Sequence, residues 1–281
     1  FFMSARQPCR LGYTTRTTHR SRAQYRTMND RYFDQLGSHL ARKIYAGPKG
    51  AIRLAVLTRD LQEWLAKPAE RPLKVLDVGA GLGHISAWLA ERGHLVTVSE
   101  PSADMLEAAR EKLASAGTPA EDYWQAALQE LPARGQQFDL VICHAVLEWL
   151  ADPHAALAHL HCLMRPGGSL SLAFYNRDAL IYRNLIKGQF RKLERQQLAG
   201  VGQRGLTPQQ PLDPRELAHS AAAAGLQKEH ESGIRVFYDY MPPHWQQLAA
   251  EDEVIREELA YSRHPAYAPL GRYLHWWLTR N

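Results

Sequence analysis

An α/β fold with a mostly parallel seven-stranded sheet and helices on both faces is what this sequence predicts, on three observations. Short apolar runs alternate with stretches whose apolar residues recur at helical spacing. Three glycines, Gly79, Gly81 and Gly83, follow the first apolar run and open a helical stretch, the junction at which such sheets bind ligands. The chain of 281 residues, 45% of them hydrophobic, has the size and apolar content for one large core.

Residues 30–66 carry Phe33, Leu36, Leu40 and Ile44, then Ile52, Val56, Leu61, Trp64 and Leu65, at helical spacing around a turn at 46–50. Two helices thus precede the first strand. Residues 74–78 read as a buried strand, 83–92 as a helix and 95–99 as a second strand. A helix over 103–116, a weak strand near Tyr123, a strong strand over 138–143, a helix over 153–164 and a strand over 169–174 continue the alternation, which implies a parallel sheet covered on both faces. Residues 177–210 are polar and basic, lack a strand, and read as an inserted lid or binding element. A helix over 214–224 and strands near 234–238 and 273–278 complete the sheet.

The formal charge is +5, but six of the 34 Lys and Arg residues fall in residues 1–27, which hold no acid; the remainder carries 28 against 29 acidic residues. Total charge is therefore not a nucleic-acid signal by itself. The leader, rich in Arg, Thr and Ser, reads as a disordered or non-native segment, with Met28 a plausible start, a single domain over 28–281, and an RNA-binding arm the lesser alternative. No run approaches the roughly 18 apolar residues of a membrane span, and a cytoplasmic protein is expected. Cys9, Cys143 and Cys162 lack metal-ligand spacing, so no zinc site is expected and the thiols read as reduced. The sequence leaves the oligomeric state open, with a monomer favoured.

In the glycine turn, His84 stands where a dinucleotide fold places Gly or Ala, and the glycines fall as GxGxG, which favours S-adenosylmethionine over NAD. Gly79, Ala80 and Gly81 would lie against the cofactor. Glu100 ends the second strand, where a carboxylate accepts the hydroxyls of an adenosine ribose; alone, it would read as a strand-end acid capping the next helix. Asp77, in an apolar strand, should find donors in the loop it organises. Leu128 and Gln129 would flank adenine, although Gln129 could equally be a surface residue.

Longer runs resemble one family. His144-Ala145-Val146-Leu147-Glu148-Trp149-Leu150-Ala151-Asp152-Pro153, Arg165-Pro166-Gly167-Gly168, Phe174-Tyr175-Asn176, Ile44-Tyr45, Gly233-Ile234-Arg235-Val236-Phe237 with Asp239-Tyr240, and Leu270-Gly271-Arg272-Tyr273 are similar to the bacterial tRNA 5-carboxymethoxyuridine methyltransferases. The resemblance covers essentially residues 28–281 and implies a Rossmann-like class I methyltransferase fold. It further implies S-adenosylmethionine as cofactor and methylation of the wobble 5-carboxymethoxyuridine carboxylate to its ester. By resemblance, Arg53, Gly79, Ala80, Glu100, Leu128, Gln129 and His144 contact the cofactor, Arg53 at its methionine carboxylate. Glu100 departs from a common aspartate, and the leader has no counterpart.

A substrate carboxylate is ionised at neutral pH, so no catalytic base is expected; positioning and desolvation should dominate. His144 is thus a cofactor contact or a histidine bonded within the sheet, not a base. Arg235 and Arg272 suit a substrate carboxylate because a guanidinium pairs with it bidentately, against ordinary ion-pair roles. Tyr175 and Asn176 are candidate uracil or ribose contacts, with core packing the alternative for Tyr175. Arg183, Lys187, Arg191 and Arg195 recur every fourth residue, with Lys192 and Arg204 nearby, so one helix would align them for tRNA phosphates unless Gly188 breaks it or they form a solvated face. Tyr240, His244 and Trp245 could stack on bases of the anticodon stem-loop or pack in the core. The rival activities are a small-molecule O-methyltransferase and a non-catalytic RNA-binding module.

Overall fold

In the computed structural model, described for residues 30–31, 47–66, 71–195, 198, 208 and 210–281, the sheet has seven strands in the order β3-β2-β1-β4-β5-β7-β6. Helix α1 (Pro48–Leu65) precedes β1 (Lys74–Val78), α2 (His84–Ala90), β2 (Leu95–Ser99), α3 (Ala103–Ser115), β3 (Asp122–Trp124) and β4 (Phe138–His144). Then follow α4 (Ala156–Leu163), β5 (Met164–Tyr175), α5 (Arg177–Ile186), α6 (Phe190–Glu194) and α7 (Pro214–Ala223). The last elements are β6 (Leu226–Ile234), α8 (Pro243–Leu248), α9 (Glu251–Tyr261) and β7 (Tyr273–Arg280). β7 runs antiparallel between β5 and β6; β1 to β5 are parallel.

Alternation along each central strand divides the core between two layers. Val75, Leu140 and Ile142 join Val56, Leu57 and Leu61 of α1 on one face, while Leu76, Val78, Val141 and Cys143 pack with α4 and α7 on the other. Burial on both faces explains why these strands read as unbroken apolar runs. The parallel register sets Val78 beside both Ser99 and Cys143, so Gly79, Glu100 and His144 emerge at one edge of the sheet.

Three expectations are corrected. The sixth strand lies at Leu226–Ile234, not 234–238, because an edge strand reading Gln227-Lys228-Glu229-His230-Glu231 faces solvent and carries little apolar signal. The basic residues do not share one helix: Gly188, at φ +63°, ends α5, and α6 begins afresh at Phe190. Cys143 is a buried free thiol, but Cys162 is disulfide-bonded, so the cysteines are not all reduced. The leader over 1–27, the first helix near Phe33 to Ile44 and Arg204 lie outside the described residues. Among the described residues no helix is long and apolar enough to cross a membrane, and no cluster of His, Cys, Asp or Glu could hold a metal.

Candidate active site

The edge formed by β1, β2 and β4 carries a pocket. Gly79, Gly81 and Gly83 all take left-handed φ, at +63°, +59° and +70°. At Gly79 a Cβ would sit 2.6 Å from Val146 Cγ2, and at Gly83 it would sit 2.9 Å from Ala109 Cβ of α3. The first glycine thus keeps the pocket wall open, while the third lets α2 approach α3. Gly79 and Ala80 donate their backbone N–H groups to Ser99 O at 2.8 and 3.1 Å, which fixes the turn against β2.

Glu100 is buried at the pocket wall, with Oε2 accepting from Gly81 N at 3.0 Å and Oε1 from Ser102 N at 3.2 Å. Two backbone amides therefore orient its carboxylate. Asp77 is bound by the Ser86 hydroxyl at 2.5 Å, in the first turn of α2, rather than chiefly by amides of the glycine loop. Burial pushes its pKa up to about 7, opposed by Ser86 and aided by the Glu100 charge.

Arg53, Leu128, Gln129 and His144 join Gly79, Ala80, Gly81 and Glu100 around this pocket, so the structure brings together all eight predicted cofactor residues. The Arg53 guanidinium lies 4.2 Å from the centre of the Tyr273 ring, another pocket wall. Gln129 is exposed at the rim and donates to Asp30 Oδ2 at 2.7 Å. His144 Nε2 is 2.8 Å from Ser171 Oγ; burial pushes its pKa far down, helped by the Arg53 charge. The pocket fits an adenosylmethionine: an oriented carboxylate for a diol, a glycine turn that spares a wall, and a buried His144 Nδ1 without partner among the described residues.

A second cluster abuts this pocket through Tyr273. Arg235 and Arg272 have side chains only 13% and 12% exposed and share one carboxylate oxygen, Asp239 Oδ2, at 3.3 and 3.8 Å. Arg235 Nε, Arg272 Nη1 and the Tyr175 hydroxyl are buried without partners among the described residues. Two largely buried guanidiniums for one carboxylate leave an excess positive charge that an anion would neutralise. Arg272 lies 4.7 Å from the Tyr175 ring centre, and Arg235 5.5 Å from that of Tyr273. Arg235 also holds φ +60°, and Ala145, which lines the pocket next to His144, holds +58°; they are the non-glycine residues with positive φ among those described.

Asn176 takes a different part from the expected uracil or ribose contact. It is fully buried, caps α5 through Asp178 N, and donates to Pro269 O and Gly271 O at 2.8 and 2.9 Å, while its backbone N–H bonds Arg272 O. It therefore holds the segment that carries Arg272. Tyr240 is likewise anchored, its hydroxyl donating to Leu270 O at 2.7 Å and its ring packing on Tyr182. Trp245 is 55% exposed.

Beyond the cluster, Lys187, Arg191, Lys192 and Arg195 are exposed, and Arg183 is partly buried. Tyr182, Leu185, Ile186 and Phe190 are exposed between them. Sequence reasoning missed Glu148, which is fully buried with neither carboxylate oxygen partnered among the described residues; burial pushes its pKa up to about 7. Its one signal was an acid inside the apolar run Val146-Leu147-Glu148-Trp149-Leu150.

Residues 76–172 match the family described as "Methyltransferase domain". The chain is 36% identical over 253 residues to the tRNA 5-carboxymethoxyuridine methyltransferase of Escherichia coli K12, covering 88% of this chain and 95% of that protein. It is also 30% identical to a ubiquinone biosynthesis O-methyltransferase of Methylocella silvestris, over 75% of this chain and 77% of that protein. Among solved structures, the magnesium protoporphyrin IX methyltransferase of Synechocystis PCC 6803 with bound SAH superposes with a TM-score of 0.62 at 18% identity, covering 89% of this chain and 97% of that one. That last likeness speaks for the fold.

Proposed function

Since the chain belongs to the tRNA 5-carboxymethoxyuridine methyltransferase family and is an S-adenosylmethionine-dependent methyltransferase, we propose that it methylates the carboxylate of 5-carboxymethoxyuridine at the tRNA wobble position. Within the structure, the observation that carries this reading is the pair Arg235 and Arg272, largely buried, sharing one aspartate, and set beside the pocket with guanidinium hydrogens unused. A neutral acceptor would leave that excess charge uncompensated.

When bound, S-adenosylmethionine supplies an electrophilic sulfonium methyl. Gly79, Ala80 and Gly81 bind it along the backbone, Glu100 holds the ribose hydroxyls, Leu128 and Gln129 flank the adenine, and Arg53 and His144 contact the methionine part. Arg235 and Arg272 orient the acceptor carboxylate, and Tyr175 offers its hydroxyl to the same group. No residue need take a proton, because the nucleophile is already an anion. Rate enhancement then rests on alignment and exclusion of water. Arg183, Lys187, Arg191, Lys192 and Arg195, with Arg204 outside the described residues, bind phosphates of the anticodon stem-loop, and Trp245 stacks on a base. Residues 177–210 thus serve as a tRNA-binding insertion in one domain over 28–281, acting in the cytoplasm.

Incubation with methyl-labelled cofactor and bulk tRNA tests the reading. Label recovered as the wobble-uridine methyl ester is expected, and unlabelled tRNA alongside a labelled small-molecule acceptor would move the protein to the O-methyltransferase rival. Absence of a cofactor-dependent thermal shift would instead favour a non-catalytic RNA-binding module.

A further inference from the structure

Behind the pocket, a line of polar side chains crosses the α1 face of the sheet. His144 Nε2 is 2.8 Å from Ser171 Oγ, Ser171 Oγ is 2.7 Å from His275 Nε2, and His275 Nδ1 is 2.7 Å from Asp60 Oδ2. The four residues belong to β4, β5, β7 and α1. Ser171 and His275 are essentially solvent-free and Asp60 is buried. The other oxygen of Asp60 accepts from Arg59 Nε and Nη2, at 2.9 and 2.7 Å, and from Arg263 Nη2 at 2.5 Å. At the opposite end, His144 Nδ1 is buried with no partner among the described residues, in a residue that lines the pocket.

The proton count along this line is constrained. Burial works against an ionised Asp60, but the three guanidinium N–H groups that Oδ1 accepts, the hydrogen bond from His275 and the charges of Arg59 and Arg263 outweigh it and hold the carboxyl well below the usual carboxylate range. An ionised carboxylate only accepts, so His275 Nδ1 carries a hydrogen. With His275 neutral, its Nε2 accepts the single hydroxyl hydrogen of Ser171. Ser171 Oγ must then receive a hydrogen from His144 Nε2, and His144 Nδ1 is left with a bare lone pair. Three hydrogen bonds thus transmit the sign of Asp60 to the far ring nitrogen of a pocket-lining residue.

We propose that Asp60, His275 and Ser171 are positioning residues that hold His144 in its Nε2–H tautomer and so present an acceptor lone pair to the cationic methionine end of the cofactor. The inference rests on the reading of His144 as a cofactor contact. An N–H in the same place would oppose the ammonium and sulfonium charges, whereas a lone pair complements them. Orienting a functional imidazole through its other nitrogen and a buried carboxylate is a general device. Here a serine is interposed, which lets the carboxylate stand on a different element, α1.

Asp60→Asn separates this from a structural role. The three guanidinium hydrogens on the Oδ1 side retain the amide oxygen there, so the amide NH2 faces His275 Nδ1 and forces it to accept. Every bond in the line then inverts, and the hydrogen moves to His144 Nδ1. Nitrogen NMR of histidine-labelled full-length protein is expected to show His144 protonated at Nε2 in the wild type and at Nδ1 in Asp60→Asn, with S-adenosylmethionine bound about tenfold more weakly, as one misdirected hydrogen bond would cost. Ser171→Ala cuts the line, and a mixture of His144 tautomers with affinity reduced roughly threefold is expected. His144→Ala tests the underlying reading: unchanged affinity would remove His144 from the site and the proposal with it. Weakened binding by His144→Ala, together with wild-type nitrogen shifts or wild-type affinity in both Asp60→Asn and Ser171→Ala, would overturn the proposal while leaving His144 as a contact. Should Asp60→Asn not fold, the nitrogen shifts and affinity of Ser171→Ala decide alone.

Discussion

The two ends of the binding edge are built by different means. The proposed cofactor end, at β1, β2 and β4, is a backbone construction: left-handed glycines, amides bonded to Ser99 O, and a carboxylate oriented by Gly81 and Ser102 amides. The proposed acceptor end, beside β5, β6 and β7, is a side-chain construction in which Arg235, Arg272 and Tyr175 converge from segments distant in sequence around Asp239. The backbone site has no room for a Cβ at Gly79 or Gly83, whereas a side-chain site can be retuned one residue at a time. Loss of binding should therefore be abrupt at the first end and graded at the second.

Gly79→Val should break the first end outright. Its Cβ would lie 2.6 Å from Val146 Cγ2 in a conformation that valine resists, so the turn must shift and cofactor binding should fall by more than about a hundredfold. Calorimetric titration checks this, and wild-type affinity would refute the glycine turn as the site. Arg272→Ala should reduce kcat/KM for tRNA by about a hundredfold, the scale of a lost charge-assisted pair, with cofactor affinity unchanged. A parallel loss of cofactor affinity would dissolve the proposed division between the ends.

Asp77→Asn sharpens the comparison through pH. A carboxyl whose folded pKa is about 7 against an ordinary 3.8 binds a proton more tightly in the native than in the unfolded state, so wild-type stability declines as pH rises between those values. The variant cannot ionise there. Relative to it, the wild type should lose about 2 kcal/mol between pH 4 and pH 8, allowing for relaxation around the charge. Denaturant titrations that remain parallel across that range would place the buried charge elsewhere. Replacing Arg191, Lys192 and Arg195 by Ala should weaken tRNA binding about tenfold and flatten its salt dependence by about two, with the cofactor unaffected. An unchanged salt slope would return these residues to an ordinary solvated face.

Legibility in the sequence followed the same division. The central strands were readable because burial on both faces makes them apolar throughout, and the glycines because left-handed turns and close approach demand that residue. Edge strand β6 was misplaced because its Lys228, Glu229, His230 and Glu231 meet water, so its pairing with β7 left no pattern. Arg235 and Arg272 were nominated from chemistry and resemblance together, since nothing local distinguishes them from surface arginines. The line from His144 to Asp60 gave no signal: its members lie up to 215 positions apart, and each alone resembles a satisfied core polar residue. Asn176 was read for contact because strand ends carry ligands, yet a helix cap competes for the same position.

The placement of β7 has a consequence for biosynthesis. It is translated after β6 but lies between β5 and β6, so β5 keeps one open edge and β6 has no strand to pair with until the ribosome has passed Tyr273–Arg280. The same stretch delivers Tyr273 and His275, with Arg272 just before it. A nascent chain interrupted earlier would expose the β5 edge and lack the Arg272 half of the proposed acceptor site, so incomplete products would be open to proteolysis and poorly equipped to methylate.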